Sequence, residues 1–214
     1  MKIIKELYDY REMLSNLVKK DLKVRYKGSV LGFLWTFLNP LLQLIVYTIV
    51  FSTIMKVNID KFYIYLFIGL IPWLFFATCI QAGSTSILMN KDLIKKIYFP
   101  RIILPISTVN SAFMNMFYSM IVVILTILVS GIGFSKYVLL LPLAMIMQYI
   151  LVLGMTFIFS ALNVYFRDLE YILNIIVMIW FYLTPIVYEI KMIPERFRFW
   201  FYLNPMTGII NFYR

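Results

Sequence analysis

The sequence predicts an all-α integral membrane protein: an N-terminal amphipathic interface helix, five transmembrane helices and a re-entrant hairpin on the outer side. Three observations carry this. The 214 residues are 63% hydrophobic and only 14% charged, against a globular norm of roughly 45–50% apolar and about 25% charged. The charges are segregated, leaving charge-free intervals at 28–55, 62–90, 102–135, 137–166 and 171–188. Ahead of them, a basic segment repeats apolar residues at helical spacing.

That first segment carries eight Lys/Arg and four Asp/Glu by residue 31, with Ile4, Leu7, Leu14, Leu17 and Val18 spaced for one helix face. It reads as an interfacial amphipathic helix; a solvated cytosolic arm is the alternative. A signal peptide would need a short basic start, a compact apolar core and a small-residue cleavage site.

The charge-free intervals follow as spans, because a charged side chain at a helix centre costs about 2.5–3.5 kcal/mol on the insertion scale. The first four exceed the ~20 residues that cross a ~30 Å hydrocarbon core, and the fifth, at 18 residues, is just long enough. With the N-terminus inside, 13 Lys/Arg fall on the cytoplasmic side and 6 on the other, Arg214 being unassigned. This asymmetry predicts a multi-pass protein with a cytoplasmic N-terminus, and the basic excess suits an anionic inner leaflet.

Beyond the spans, residues 199–213 are apolar and aromatic but broken by Asn204-Pro205 and Gly208. Such a stretch is a poor spanning helix and a better re-entrant or interfacial hairpin. One domain, 1–214, is therefore expected: 1–27 the interface helix, 28–188 the five spans, 189–214 the outer region. Five spans leave the C-terminus outside, so a final span is expected to be missing.

The chemistry is narrowed by what is absent. The chain has no His and one Cys, Cys79, which excludes histidine triads, histidine metal sites and intrachain disulfides. No stretch has P-loop spacing, the nearest being Gly131-Ile132-Gly133-Phe134-Ser135-Lys136. No metal site, no catalytic residue and no ATP site in this chain are expected. No ionisable Asp, Glu, Lys, Arg or His lies inside a span, which disfavours proton- and sodium-coupled transport.

Within the spans, Trp35, Asn39, Gln43 and Tyr47 fall at i, i+4, i+8 and i+12, one slowly drifting stripe. Asn174, Met178, Tyr182 and Pro185 form a similar row, with Asn110, Phe117, Gln148 and Asn163 as further contributors. These residues make a path of stacking rings and amides suited to sugar or polyol chains, or else interface belts and interhelical glue. Bends are expected at the two Asn-Pro steps, Asn39-Pro40 and Asn204-Pro205. Gly28 and Gly32 form a small-xxx-small pair that would permit close helix approach.

The loop Asn90-Lys91-Asp92-Leu93-Ile94-Lys95-Lys96-Ile97-Tyr98-Phe99-Pro100-Arg101 combines lysines, exposed aromatics and a terminating proline. A topogenic loop needs only the lysines; Tyr98 and Phe99 beside Leu and Ile also fit a docking surface for a soluble partner.

Five motifs in order carry a resemblance. They are Lys23-Val24-Arg25-Tyr26-Lys27-Gly28-Ser29-Val30-Leu31-Gly32-Phe33-Leu34-Trp35 through Leu38-Asn39-Pro40, the loop just quoted, Phe166-Arg167-Asp168, Phe181-Tyr182-Leu183-Thr184-Pro185-Ile186 and Leu203-Asn204-Pro205-Met206-Thr207-Gly208. Together they resemble the permease subunit of ABC exporters for lipid-linked polysaccharides, whose members export O-antigen, capsular polysaccharide or teichoic acid.

The resemblance implies a homodimeric channel of six-helix protomers in the cytoplasmic (inner) membrane, paired with two copies of a separate ABC ATPase subunit that uses ATP and Mg²⁺. It implies an interface helix over about 4–26. ATPase coupling falls to Lys95, Lys96, Tyr98, Phe99, Pro100, Arg101, Arg167 and Asp168. An outer gate over about 194–208 includes Pro194, Asn204, Pro205 and Gly208. By position, Trp35, Tyr47, Phe117 and Tyr182 become channel-lining candidates, and Asn39 joins them from the stripe. Expected partners are the ATPase, a second copy, the lipid-linked glycan and membrane lipids, with no nucleic acid. A drug or small-lipid exporter, a non-transporting scaffold and, least favoured, a membrane enzyme stand as alternatives.

Overall fold

A computed structural model of the chain describes residues 2–26, 28–54, 59, 61–131 and 136–214. Lys27, Lys56, Asp60 and residues 132–135 of the glycine cluster lie outside the described residues. Every regular element among those described is helical: α1 (Lys2–Asp9), α2 (Arg11–Tyr26), α3 (Trp35–Thr48), α4 (Phe62–Met89), α5 (Lys91–Lys96), α6 (Ile103–Val129), α7 (Leu141–Tyr165), α8 (Leu169–Tyr182), α9 (Glu195–Leu203) and α10 (Pro205–Tyr213). Four helical stretches are long and apolar enough to cross a membrane: Gly32–Ser52, Phe62–Lys96, Ile103–Val129 and Tyr137–Tyr165. They overlap the first four charge-free intervals, the second running on through Lys91 to Lys96.

Helix α4 is the hub. It is apolar all round, and a helix without a polar face is stable only when surrounded; Leu66, Phe67, Leu70, Phe76, Cys79 and Ile80 are almost wholly buried. Helix α7 runs parallel to it, as the rising register shows: Gln148 Nε2 donates to the Pro72 carbonyl at 2.7 Å and Thr156 Oγ1 to that of Cys79 at 3.5 Å. Helix α6 runs antiparallel, with Phe113 against Phe75 at 5.8 Å and the Ser130 carbonyl accepting from Lys61 Nζ at 3.2 Å. Small residues let α4 and α7 close up: a Cβ on Gly83 would lie 2.3 Å from Thr156 Cγ2.

Helix α3 covers another side of α4 and continues as a π-helical turn over Ile49–Ile54. Pro40 lies inside α3 without ending it. Asn204-Pro205 is no bend within a helix but a break between two: Asn204 is extended and caps α10, and Pro205 takes its first position, where a missing N–H costs nothing.

The structure adds detail to several expectations. Gly28 and Gly32 have φ of +82° and +47° with nothing within 4 Å of an added Cβ. They let the chain turn between α2 and α3, and no described helix of the same chain approaches them closely. The N-terminal helix is broken at Tyr10 into α1 and α2, and its apolar face is covered by protein: Leu17 is buried with Phe99, Ile103 and Leu104, and Leu7, Met13 and Leu14 pack on that cluster. The side chain of Ile4 lies outside those described. The fifth interval gives a helix of 14 residues, α8, which at about 1.5 Å per residue reaches about 21 Å. It ends before Pro185, because proline disfavours a helical backbone at Thr184. Bends then lead to the hairpin α9–α10, whose second arm packs on α4 and α7 and fully buries Met206 and Ile210.

Candidate functional site

The polar stripe on α3 does open onto space. Between α3, α4 and α6 lies a cleft of about 430 Å³, lined on α3 by Trp35, Thr36, Asn39 and Gln43 and across from it by Thr78, Asn115 and Ser119. A second cleft of about 210 Å³ continues from the first through their common Gln43 and Leu74 to Tyr47, Trp73, Phe181 and Tyr182. Four of the five channel-lining candidates, Trp35, Asn39, Tyr47 and Tyr182, are thus brought along one groove. Phe117 is apart from it, half-exposed on α6 with its ring centre 6.2 Å from that of Tyr118.

The groove is polar without charge. Trp35 Nε1 donates to Ser29 Oγ at 2.9 Å, Gln43 Nε2 reaches Asn39 Oδ1 at 3.5 Å, and Ser119 Oγ donates to the Thr36 carbonyl at 3.5 Å. Tyr47 stacks on Phe181 at 5.8 Å with planes 23° apart, and Trp73 meets the same ring edge-on at 5.7 Å. No Asp, Glu, Lys or Arg lines either cleft. Rings and neutral amides there can hold hydroxyl-rich groups by stacking and hydrogen bonding, with no charged side chain in the lining. The contributions of α6, Asn115 and Ser119, were not singled out from the sequence; their i, i+4 spacing inside a charge-free interval was the available signal.

Other amides act as glue. Gln148 is fully buried and bridges three helices, accepting from Tyr213 Oη at 3.0 Å while donating to Pro72. Asn110 Oδ1 accepts from Tyr149 Oη at 2.6 Å. Asn163 makes no such bond: it is buried in α7, away from both clefts, with neither side-chain amide atom hydrogen-bonded among the described residues.

At the end of the molecule that bears α2 and α5, the predicted docking loop divides. Tyr98 is 92% exposed and Phe99 only 5%. Phe99 was expected on the surface, but α2 packs over it, so it anchors the loop and Tyr98 presents it. Lys95, Lys96 and Arg101 are exposed and Pro100 half-buried. Met89 and Ile97, exposed beside them, extend the apolar surface. Because α4 and α7 are parallel, Arg167 and Asp168 emerge at this same end, both exposed, at the start of α8.

At the opposite end sits the hairpin. Pro194 precedes α9 as its cap, and Gly208 lies exposed on α10 with open space around it. Asn204, between the arms, accepts from Trp180 Nε1 at 2.9 Å and from the Met206 amide at 3.0 Å. Arg214 donates to the Pro185 and Ile186 carbonyls at 2.7 and 2.8 Å, and its guanidinium lies 3.5 Å from the Tyr65 ring centre. Among the described residues no cluster of metal-ligating side chains occurs.

Residues 13–214 match the ABC-2 type transporter family. The chain belongs to that family. This ABC-2 transporter chain is 37% identical over 216 residues to the O-antigen export system permease protein RfbA of Myxococcus xanthus, covering 100% of the chain and 83% of that relative. It is 38% identical over 204 residues to the O-antigen export system permease protein RfbA of Klebsiella pneumoniae, covering 95% and 79%. It is also 24% identical over 207 residues to the polysialic acid transport protein KpsM of Escherichia coli, covering 92% and 78%. ABC-2 family membership and four membrane-length helices make it a multi-pass membrane protein of the permease type.

Proposed function

We propose that this chain is the membrane-spanning permease subunit of an ATP-driven exporter that moves a lipid-linked polysaccharide across the cytoplasmic membrane. The observation that carries the reading is the uncharged groove of Trp35, Asn39, Gln43, Tyr47 and Tyr182. The names of its relatives, which speak of O-antigen and polysialic acid, support it.

In this reading the N-terminus is cytoplasmic and the end bearing Tyr98 and Arg167 faces a separate ATPase. That partner binds ATP with Mg²⁺ and hydrolyses it; this chain supplies docking. Lys95, Lys96, Tyr98 and Arg101 with Arg167 and Asp168 form the surface, and Phe99 keeps it in place. Two copies associate, because Asn39, Asn174 and Tyr182 are exposed on helices at membrane depth, where uncovered polar groups favour a partner helix or a wet channel. A two-fold interface would give a polymer the width that one protomer lacks. The hairpin α9–α10 then lies at the outer mouth as a gate.

Depletion of the protein tests the reading. Glycan should accumulate on its lipid carrier on the cytoplasmic side. Normal surface glycan, with no accumulated precursor, would refute polysaccharide export and leave a drug or lipid pump.

A further inference from the structure

The hairpin is tied to α8 through one side chain whose hydrogen-bonding capacity is fully used. Asn204 Oδ1 accepts from Trp180 Nε1 at 2.9 Å and from the Met206 amide at 3.0 Å, while Nδ2 donates to Thr184 Oγ1 at 2.9 Å and to the Leu183 carbonyl at 3.2 Å. A primary amide has two hydrogens and two lone pairs, so Asn204 cannot rotate without breaking a bond. Thr184 is itself fixed, its hydroxyl donating to the Trp180 carbonyl at 2.7 Å.

Helix α8 is built to move as one piece. It contains neither Gly nor Pro, the usual sources of a kink. Only Leu173, Val177 and Phe181, at i, i+4 and i+8, are buried, and its other faces are largely exposed. Within the helix one narrow stripe holds it on its neighbours, while just past its end Thr184 and Ile186 are fully buried and Arg214 bonds the Pro185 and Ile186 carbonyls. One end starts at exposed Asp168, in the proposed docking surface; the other carries Trp180.

The two arms of the hairpin differ in anchorage. Helix α10 is fixed, with Met206, Thr207 and Ile210 fully buried and Tyr213 bonded to Gln148. Helix α9 has no buried residue. Between α8 and α9 lies a cavity of about 360 Å³, lined by Ile176, Ile179, Trp180, Trp200 and Phe201, with Asn204 at its edge. There is room for α9 to swing, and Asn204 is the elbow.

We infer that Trp180 and Thr184 are positioning residues that act through Asn204, so that α8 transmits displacement from its Asp168 end to the elbow and swings α9 against a stationary α10. The inference rests on the export reading, which supplies the displacement at Asp168.

The test uses vesicles containing the permease with its ATPase and a single reporter, Phe199→Cys or, independently, Tyr202→Cys, on the exposed side of α9; native Cys79 is fully buried and contributes no labelling. ATP should change the rate of modification by an impermeant maleimide by about fivefold or more, the scale of one hydrogen bond. Trp180→Phe, which keeps a ring beside Phe76, and Thr184→Val should reduce that change below about twofold, and Thr184→Ser should restore it. ATP hydrolysis should persist in all of them. Variants that keep the full nucleotide-dependent change would overturn the inference, as would a wild-type complex that exports glycan with no change at α9. A wild-type complex that neither exports nor responds would instead remove the export reading, and this inference with it.

Discussion

Tyr213 donates its hydroxyl hydrogen to Gln148 Oε1 at 3.0 Å, and the amide nitrogen of the same glutamine donates to the Pro72 carbonyl at 2.7 Å. A single buried amide therefore joins α10, α7 and α4. Gln148→Leu keeps bulk and removes both bonds, leaving a tyrosine hydroxyl unsatisfied in an apolar surround, at a cost of about 1–3 kcal/mol. Thermal unfolding of the purified protein in detergent should show a lowered midpoint, with Tyr213→Phe largely relieving the loss.

Gly83 tests the α4–α7 contact from the other side. With Thr156 Cγ2 only 2.3 Å from where a Cβ would stand, Gly83→Ala must push the two helices apart, costing about 1–3 kcal/mol as overpacking. Thr156→Ser removes the offending methyl and keeps the hydroxyl. The double variant should regain most of the thermal midpoint lost by Gly83→Ala, a non-additivity expected only of residues in contact.

Adjacent aromatics in the docking loop should behave oppositely. Phe99→Ala opens the cluster under α2 and should destabilise the protein by about 3–5 kcal/mol. Tyr98→Ala removes an exposed ring and should leave the detergent melting midpoint within a degree or two, while weakening co-purification of the ATPase by about tenfold or more if Tyr98 is an interface anchor. Equal melting curves for both variants would contradict the burial difference.

In the groove, Trp35→Ala should slow glycan export by up to about tenfold, the scale of one lost ring interaction, with membrane insertion unchanged. Phe117→Ala, outside both clefts, should export like wild type. Pulse-labelled glycan reaching the cell surface measures both.

Much of this was readable in the chain. The four long helices follow from where charges are absent, since the energetic penalty for a charge at membrane depth is local and needs no tertiary knowledge. The stripe Trp35, Asn39, Gln43, Tyr47 was visible for a similar reason: helical period alone puts those side chains on one face. What stayed hidden depends on how helices sit against each other. Nothing local tells that α2 folds over Phe99 and not over Tyr98. The partners of Gln148 are set by the register of α4, α7 and α10, and the Trp180–Asn204 bond joins residues 24 positions apart. Gly28 and Gly32 match a packing spacing, but their positive φ belongs to a turn that spacing does not disclose.

The shortness of α8 has a consequence for the bilayer. If α8 is the fifth span, about 21 Å of helix cannot match a hydrocarbon layer of ~30 Å, so the lipids beside it thin or the bends and hairpin fill the missing depth. In the first case the insulating layer would be shallowest along the helix that carries Tyr182. Hydrophobic mismatch carries a modest energy for each ångström, so the thickness of the host membrane becomes a setting of the transporter: export reconstituted in lipids of increasing acyl length should fall as the bilayer outgrows this one short element.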